Sequence, residues 1–202
     1  MASSGTPWGG DERAALIADT AIMLLANHGL DAVTPQTVDK EAGLPQGTTA
    51  GYAPGRYDLL KSTVSRLATR EAMALTPPGG TGPPETLDGL VEATAQALRH
   101  LLTKERELAL ARYELALEAT REPELRASYD QAGAFSFREP LIAQLSQAGS
   151  PDPERHAQST LAWIEGVLFT CIAGTHHAVP PSLDELRSSC HELLAGMLYV
   201  AH

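Results

Sequence analysis

Four histidines and two cysteines crowd the last part of the chain: His176, His177, His191 and His202, with Cys171 and Cys190. Imidazole and thiolate are ligands that transition metals favour, so a metal-sensing site is the first chemistry to weigh. Their spacing matches no structural zinc motif. Each cysteine falls in an apolar helical run, where it acts as a small hydrophobe rather than half of a redox pair. Glu114 and Glu118 stand at i and i+4, which on a helix is a solvated face rather than an acid–base pair. No G-x-S-x-G, Walker or dinucleotide fingerprint occurs. These residues point away from an enzyme and require neither metal nor cofactor.

Bulk composition narrows the class. The chain has 202 residues, 43% of them apolar, and a net charge of −10. That length fits one large domain or a small domain joined to a larger one. Ala and Leu dominate, which favours helices. No run is long and apolar enough for a membrane span, so no membrane partner is expected. Residues 1–10 lack the basic and apolar regions of a secretory signal and read as a flexible leader. Two cysteines exclude a disulfide framework, and the cytoplasm is the default compartment. The acidic balance works against a nucleic-acid partner. Residues 11–61 hold Arg13, Lys40, Arg56 and Lys61 against seven acidic side chains. A DNA-binding role must come from arrangement rather than charge.

The arrangement is helical throughout. Ile17, Ala21, Leu24 and Leu25 define one face of a helix from Asp11 to His28, stopped by Gly29. Thr34-Pro35 opens a second helix, Thr as N-cap and Pro at the first turn, with Val33 placed to staple against Val38. Gly43 stops it. A third helix is expected from Gln46 to Tyr52, and Pro54-Gly55 ends it. A fourth runs from Arg56 to about Leu75. Residues 76–84, dense in Pro and Gly, read as a linker. Longer helices follow at 85–102, 104–121, 123–147, 153–174 and 182–200. Pro140 should kink or break the third of these near Ser136–Glu139.

Three short helices, with a glycine turn between the second and third, make a DNA-reading unit: the second braces across the backbone and the third enters the major groove. The stretch Thr34–Leu60, TPQTVDKEAGLPQGTTAGYAPGRYDLL, resembles the signature of the TetR (tetracycline-repressor-like) family of transcriptional regulators. Gly43, Pro45, Gly47-Thr48-Thr49, Tyr52, Arg56 and Leu59-Leu60 stand at the family spacing without gaps. The G-L-P-x-G-T-T form is similar to a subgroup common among actinobacterial regulators. Ala111–Arg126 resembles the same subgroup less specifically.

The resemblance implies roles. Thr34 and Gln36 are placed for phosphate or groove contacts, and Gln46 for a base edge, where Gln pairs well with adenine. Thr48 matches a DNA-contacting threonine, while Thr49 faces inward. Tyr52 matches a residue that bonds a phosphate, and Arg56 a basic residue at a helix N-terminus that also favours anions. Gly47 and Gly51 let the helix approach the duplex closely. Two departures weaken the pattern. Ala50 replaces a tyrosine and its phosphate contact, and Ala53 replaces a core phenylalanine. With Gly47 and Gly51 each costing about 1 kcal/mol inside a helix, the recognition helix is expected to be loosely ordered and its affinity modest.

The same resemblance implies a homodimer formed by the last two long helices. Ala162, Gly166, Thr170 and Ala173, with Leu186, Leu193 and Met197, are the candidate dimerisation residues. It also implies a small-molecule effector pocket, with Tyr113, Phe135, Phe137, Trp163 and Phe169 as candidate lining and an apolar ligand of unknown identity. The expected architecture is therefore all-α. An N-terminal helix-turn-helix DNA-binding domain (11–61, the connecting helix 56–75 beginning within it) precedes the 76–84 linker. A larger helical effector-binding and dimerisation domain (85–202) follows. The implied function is a ligand-responsive repressor that binds double-stranded palindromic operator DNA. The second class left open is a helical dimeric ligand-binding or interaction protein with a degenerate helix-turn-helix.

Overall fold

A computed structural model describes residues 10–74, 84 and 86–198, apart from the Phe135 side chain. Nearly all of the 1–10 leader and the 76–84 linker thus lies outside the described residues. Among those described, the regular elements are helices, with no strand. They are α1 (Gly10–His28), α2 (Pro35–Glu41), α3 (Thr48–Tyr52), α4 (Arg56–Ala74), α5 (Leu87–Thr103), α6 (Arg106–Ala119), α7 (Pro123–Gly133), α8 (Glu139–Gln147), α9 (Pro153–Ile172) and α10 (Leu183–Leu198). No helix among them is long and apolar enough to cross a membrane. The chain divides into two compact units, Met1–Leu67 with Ala111–Tyr129, and Ala68–Leu110 with Asp130–His202.

In the first unit, local chemistry sets each boundary. α1 ends at Gly29, whose φ of 76° favours glycine. Thr34 caps α2, its Oγ1 accepting from Thr37 N at 3.1 Å, with Pro35 at the first turn. α2 closes in a Schellman arrangement. Gly43 takes φ 65°, and Leu44 N donates to Asp39 O at 2.8 Å. Val33, Val38, Leu59 and Leu60 are fully buried. Arg66 of α4 holds Asp19 of α1 with two hydrogen bonds, at 2.9 and 2.6 Å.

The second unit is built on α5, which packs along α10 and also meets α9; α8 packs on α9. Leu90, Val91, Leu141, Leu145, Ala157, Cys190 and Leu194 form the core, with Trp163 and Met197 packed against it. A capping box starts α10: Ser182 Oγ accepts from Glu185 N, while Glu185 accepts from Ser182 N at 2.7 Å. Arg106 of α6 donates to the carbonyls of Cys171 and Ile172, satisfying the C-terminal end of α9. Pro140 has the expected position but a milder effect than a break. Residues Ala134–Arg138 widen into π-type turns, Glu139 N donating to Ala134 O, so the backbone stays helical through to α8.

His156, in the first turns of α9, is buried and bonded on both ring nitrogens, to Ser150 Oγ and Arg155 Nη2, each at 2.7 Å. A guanidinium only donates, so Nε2 is the acceptor and the hydrogen sits on Nδ1. Burial, then the Arg155 charge, hold its pKa below the ordinary 6.5, against an opposing pull from Asp152. The neutral ring is therefore the folded form. Its contribution is complete above pH 6.5 and is lost as pH falls from there toward the lowered folded value. The denaturation midpoint should fall between pH 7 and pH ~5.5 in the wild type. A His156→Gln variant should lose that slope, and equal slopes in both would show that the ring does not carry it.

Candidate nucleic-acid interface

The helix-turn-helix is held together from inside by one carboxylate. Asp39 of α2 is 3% exposed, and both of its oxygens face the start of α3. Oδ2 accepts from Gly47 N at 2.7 Å. Oδ1 accepts from Thr49 N at 2.8 Å and from the Thr49 hydroxyl at 2.6 Å. Burial alone would push the Asp39 carboxyl up. The bonds from the Thr49 side chain and from the Thr49, Gly47 and Thr48 backbone outweigh it and hold the group below the usual carboxylate range.

This corrects two expectations. α3 begins at Thr48 rather than Gln46, because Gly47 adopts φ 90° and cannot continue a right-handed helix. Gly47 is thus no weak point inside a helix. It supplies the left-handed turn that delivers Thr48 and Thr49. The cost assigned to glycine in the recognition helix falls on Gly51 alone.

The expected DNA-facing side chains divide by exposure. Gln36, Gln46, Gly47, Gly51 and Tyr52 are exposed, Thr48 is half-buried, and Thr49 is buried as foreseen. Thr34 commits its hydroxyl to the α2 cap and to Thr37 Oγ1 at 2.8 Å. Thr48 donates its hydroxyl proton to Pro45 O at 2.6 Å. Tyr52 Oη donates to Gly10 O at 3.1 Å. Ala53 is buried in the unit's core despite its small size.

Two of the positive charges here, Arg56 and Lys61, are engaged. Arg56 donates to Leu30 O at 3.3 Å and lies 3.8 Å from Asp31. Lys61 lies between Asp58 (3.3 Å) and Glu124 (3.2 Å). Asp58 also accepts from Gly55 N at 3.2 Å, so a carboxylate already stands at the N-terminal end of α4, where an incoming anion was expected. Neither Asp39 nor Asp58 was singled out from sequence. A signal existed for Asp58, three residues after Gly55 at the third position of a helix, which is the geometry of a reciprocal cap.

The other expected residues lie as follows. On α9, Ala162, Gly166 and Thr170 are exposed, as is Ala173 at its C-cap, and Phe169 beside them is 51% exposed. On α10, Leu193 and Met197 are half-buried. Leu186 departs from the expectation of an interface position: it is 2% exposed, inside its own unit's core. Phe137 and Trp163 are half-buried in the second unit, and Tyr113 belongs to the first. A shallow groove of about 460 Å³ on the second unit is lined by Asp88, Val91, Glu92, Arg187, Ser188, His191 and Glu192, none of them an expected lining residue. Cys171 and Cys190 are free and buried, and burial pushes the Cys190 thiol up to about 11. Among the described residues no three His, Cys, Asp or Glu side chains gather where they could hold a metal ion. Glu118 is less solvated than its spacing implied, with a side chain 14% exposed and 3.5 Å from Arg121.

Comparison with known proteins gives the arrangement its relatives. The sequence profile described as "Tetracyclin repressor-like, C-terminal domain" matches residues 85–199. No curated protein matches the chain. Among solved structures, a TetR-family structure from Rhodococcus sp. is 18% identical with a TM-score of 0.75, covering 94% of this chain and 100% of that one. A TetR-family member from Streptomyces coelicolor A3 is 24% identical with a TM-score of 0.72, covering 90% and 98%. The multidrug binding protein EbrR complexed with ethidium is 23% identical with a TM-score of 0.67, covering 90% and 98%. These three likenesses are likenesses of fold.

Proposed function

Since the chain belongs to the tetracyclin repressor-like family, we propose that it is a ligand-responsive transcriptional repressor that binds a palindromic operator as a homodimer. The observation that carries this reading is the α2–turn–α3 unit. One side is locked by Asp39 and Thr49, and the other leaves Gln46, Thr48, Gly51 and Tyr52 accessible. Gln46 and Thr48 are the base readers. Because Thr48 donates its hydroxyl proton to Pro45 O, it meets DNA as an acceptor, suited to the amino group of cytosine or adenine. Tyr52 and Arg56 are the phosphate contacts. Gln36 stands at the start of α2, exposed to the same partner. The Gly43–Thr49 pattern supports placement in the actinobacterial-type subgroup.

Dimerisation falls to the exposed small-residue face of α9 and to Leu193 and Met197 of α10. A dimer suits two half-sites related by a two-fold axis. The effector is a small, largely apolar molecule taken by the second unit near Phe137 and Trp163. EbrR, a structure of similar fold, is complexed with ethidium, which supports a small-molecule effector for this chain.

With Arg56 and Lys61 already paired and the region net acidic, phosphate attraction is weakened, so the salt dependence of binding should be shallow. Selection from a randomised DNA pool tests the reading. The wild type should enrich a palindrome, and Tyr52→Ala/Arg56→Ala should bind it more than about tenfold more weakly. No enrichment even near ~50 mM salt, where phosphate attraction is strong, would leave a helical dimeric ligand-binding protein whose helix-turn-helix no longer reads DNA.

A further inference from the structure

A five-residue helix has too few internal hydrogen bonds to hold itself. α3 contains Gly51 as well, and it is preceded by a glycine in the left-handed region. Its direction must therefore be imposed from outside. On this chain the imposing group is a single buried carboxylate. Asp39 sits eight residues before Gly47 and ten before Thr49, on the neighbouring helix. Two α3-side amides and one hydroxyl converge on its two oxygens within 2.6–2.8 Å. A helix start normally takes its cap from the preceding residue, but Gly47 has no side chain to offer, so the cap arrives across the turn.

We infer that Asp39 is the positioning residue of the recognition helix, locking α3 to α2 so that Gln46 and Thr48 meet the base edges in one fixed pose. This rests on the DNA-reading function proposed above. The geometry has a second consequence. The carboxylate neutralises the positive end of α3, so that end draws no phosphate and the helix reads bases through its side chains alone. Asp39 touches no DNA in this scheme. Its effect runs through the amides of Gly47 and Thr49 and the Thr49 hydroxyl.

Asp39→Asn is the sharp variant. It keeps the shape but turns an amide NH2 toward a backbone N–H of Gly47 or Thr49, which can only donate, so at least one N–H at the start of α3 loses its acceptor. Thr49→Val is the milder one, removing a single bond while filling the same volume. Both are compared with the wild type on its selected operator and on random-sequence DNA. Amide chemical shifts report on α3, and far-UV circular dichroism reports on the whole chain. Asp39→Asn should weaken operator binding more than about tenfold, with random-sequence binding changed far less. The Gly47 and Thr49 amide resonances should move upfield as the charged acceptor is lost. Thr49→Val should shift the same quantities in the same direction by a smaller factor.

The outcomes separate the inference from its premise. Operator discrimination unchanged in both variants overturns the positioning role and leaves the DNA-reading function standing. Equal losses on operator and random DNA also overturn it, since they report a general loss of structure. If Asp39→Asn fails to fold, Thr49→Val decides alone. A wild type that selects no sequence at all removes both.

Discussion

Gly166→Arg should turn the protein into a monomer in sedimentation experiments and lower operator affinity by roughly 10²–10⁴-fold, because the second half-site is no longer held at high effective concentration. Gly166 sits in the middle of α9, on a face it shares with Ala162 and Thr170 at four-residue spacing. A Cβ built at Gly166 meets nothing within 4 Å on this chain. The fold of the single chain therefore has room for a side chain there. Removing glycine from a helix interior even favours the helix, by about 1 kcal/mol. A lost dimer would then report on a lost interface rather than a damaged subunit.

The neighbours make the same case. Thr170 turns its hydroxyl back onto its own helix, to Gly166 O at 2.7 Å, which leaves a methyl group as its outward surface. Ala162 and Ala173 add two more small exposed groups, and Phe169 offers a large apolar one that its own chain leaves half uncovered. Small residues at helical spacing permit close approach, and a long cationic side chain among them prevents it. The checks are a sedimentation mass, a thermal midpoint equal to or above the wild type, and an operator titration. A variant that stays dimeric would move the interface off this face of α9. A variant that becomes monomeric yet keeps wild-type operator affinity would sever dimerisation from DNA reading.

Much of this was legible in the sequence, and the reasons differ by position. Thr34, Gly29 and Gly43 act through neighbours a few residues away, so the string alone discloses them. Pro140 fixed where α7 gives way to α8 but not how, because a backbone can absorb a missing N–H by widening its turns as well as by breaking. The start of α3 was misread for a longer-range reason. Propensity allows a helix from Gln46, and only the bonds from Gly47 and Thr49 to Asp39 set the later start. Asp39 itself was hidden for the same reason. A carboxylate in a short amphipathic helix looks like surface until its partners, eight and ten residues on, are seen to fold over it. Leu186 shows the limit of periodicity: a stripe of leucines marks a buried face without saying whether the same chain or a partner buries it.

Leu194→Ala should cost the chain about 3 kcal/mol, within the range of 2–5 for a fully buried leucine. Leu194 is 0% exposed on α10 and belongs to a cluster that includes Leu90 and Val91 of α5, Leu141 and Leu145 of α8, and Ala157 of α9. Deleting three carbons there removes contacts to several helices at once, and walls formed by separate helices cannot all close on the void. The competing candidate for holding α10 to α5 is polar. Arg187 grips Glu92 through two hydrogen bonds, at 2.6 and 2.7 Å. That pair is more than a third exposed on each side, so solvent screens it and its contribution is small. Burial should win over charge at this seam. Chemical denaturation monitored by helix content and by Trp163, which packs against the cluster, gives the ranking directly. A Leu194→Ala loss well above that of Arg187→Met is the expected order. The reverse order would mean that the ion pair, and not the apolar core, ties α10 to α5. In that case raising the salt concentration should loosen the unit, which a core held by apolar burial would resist.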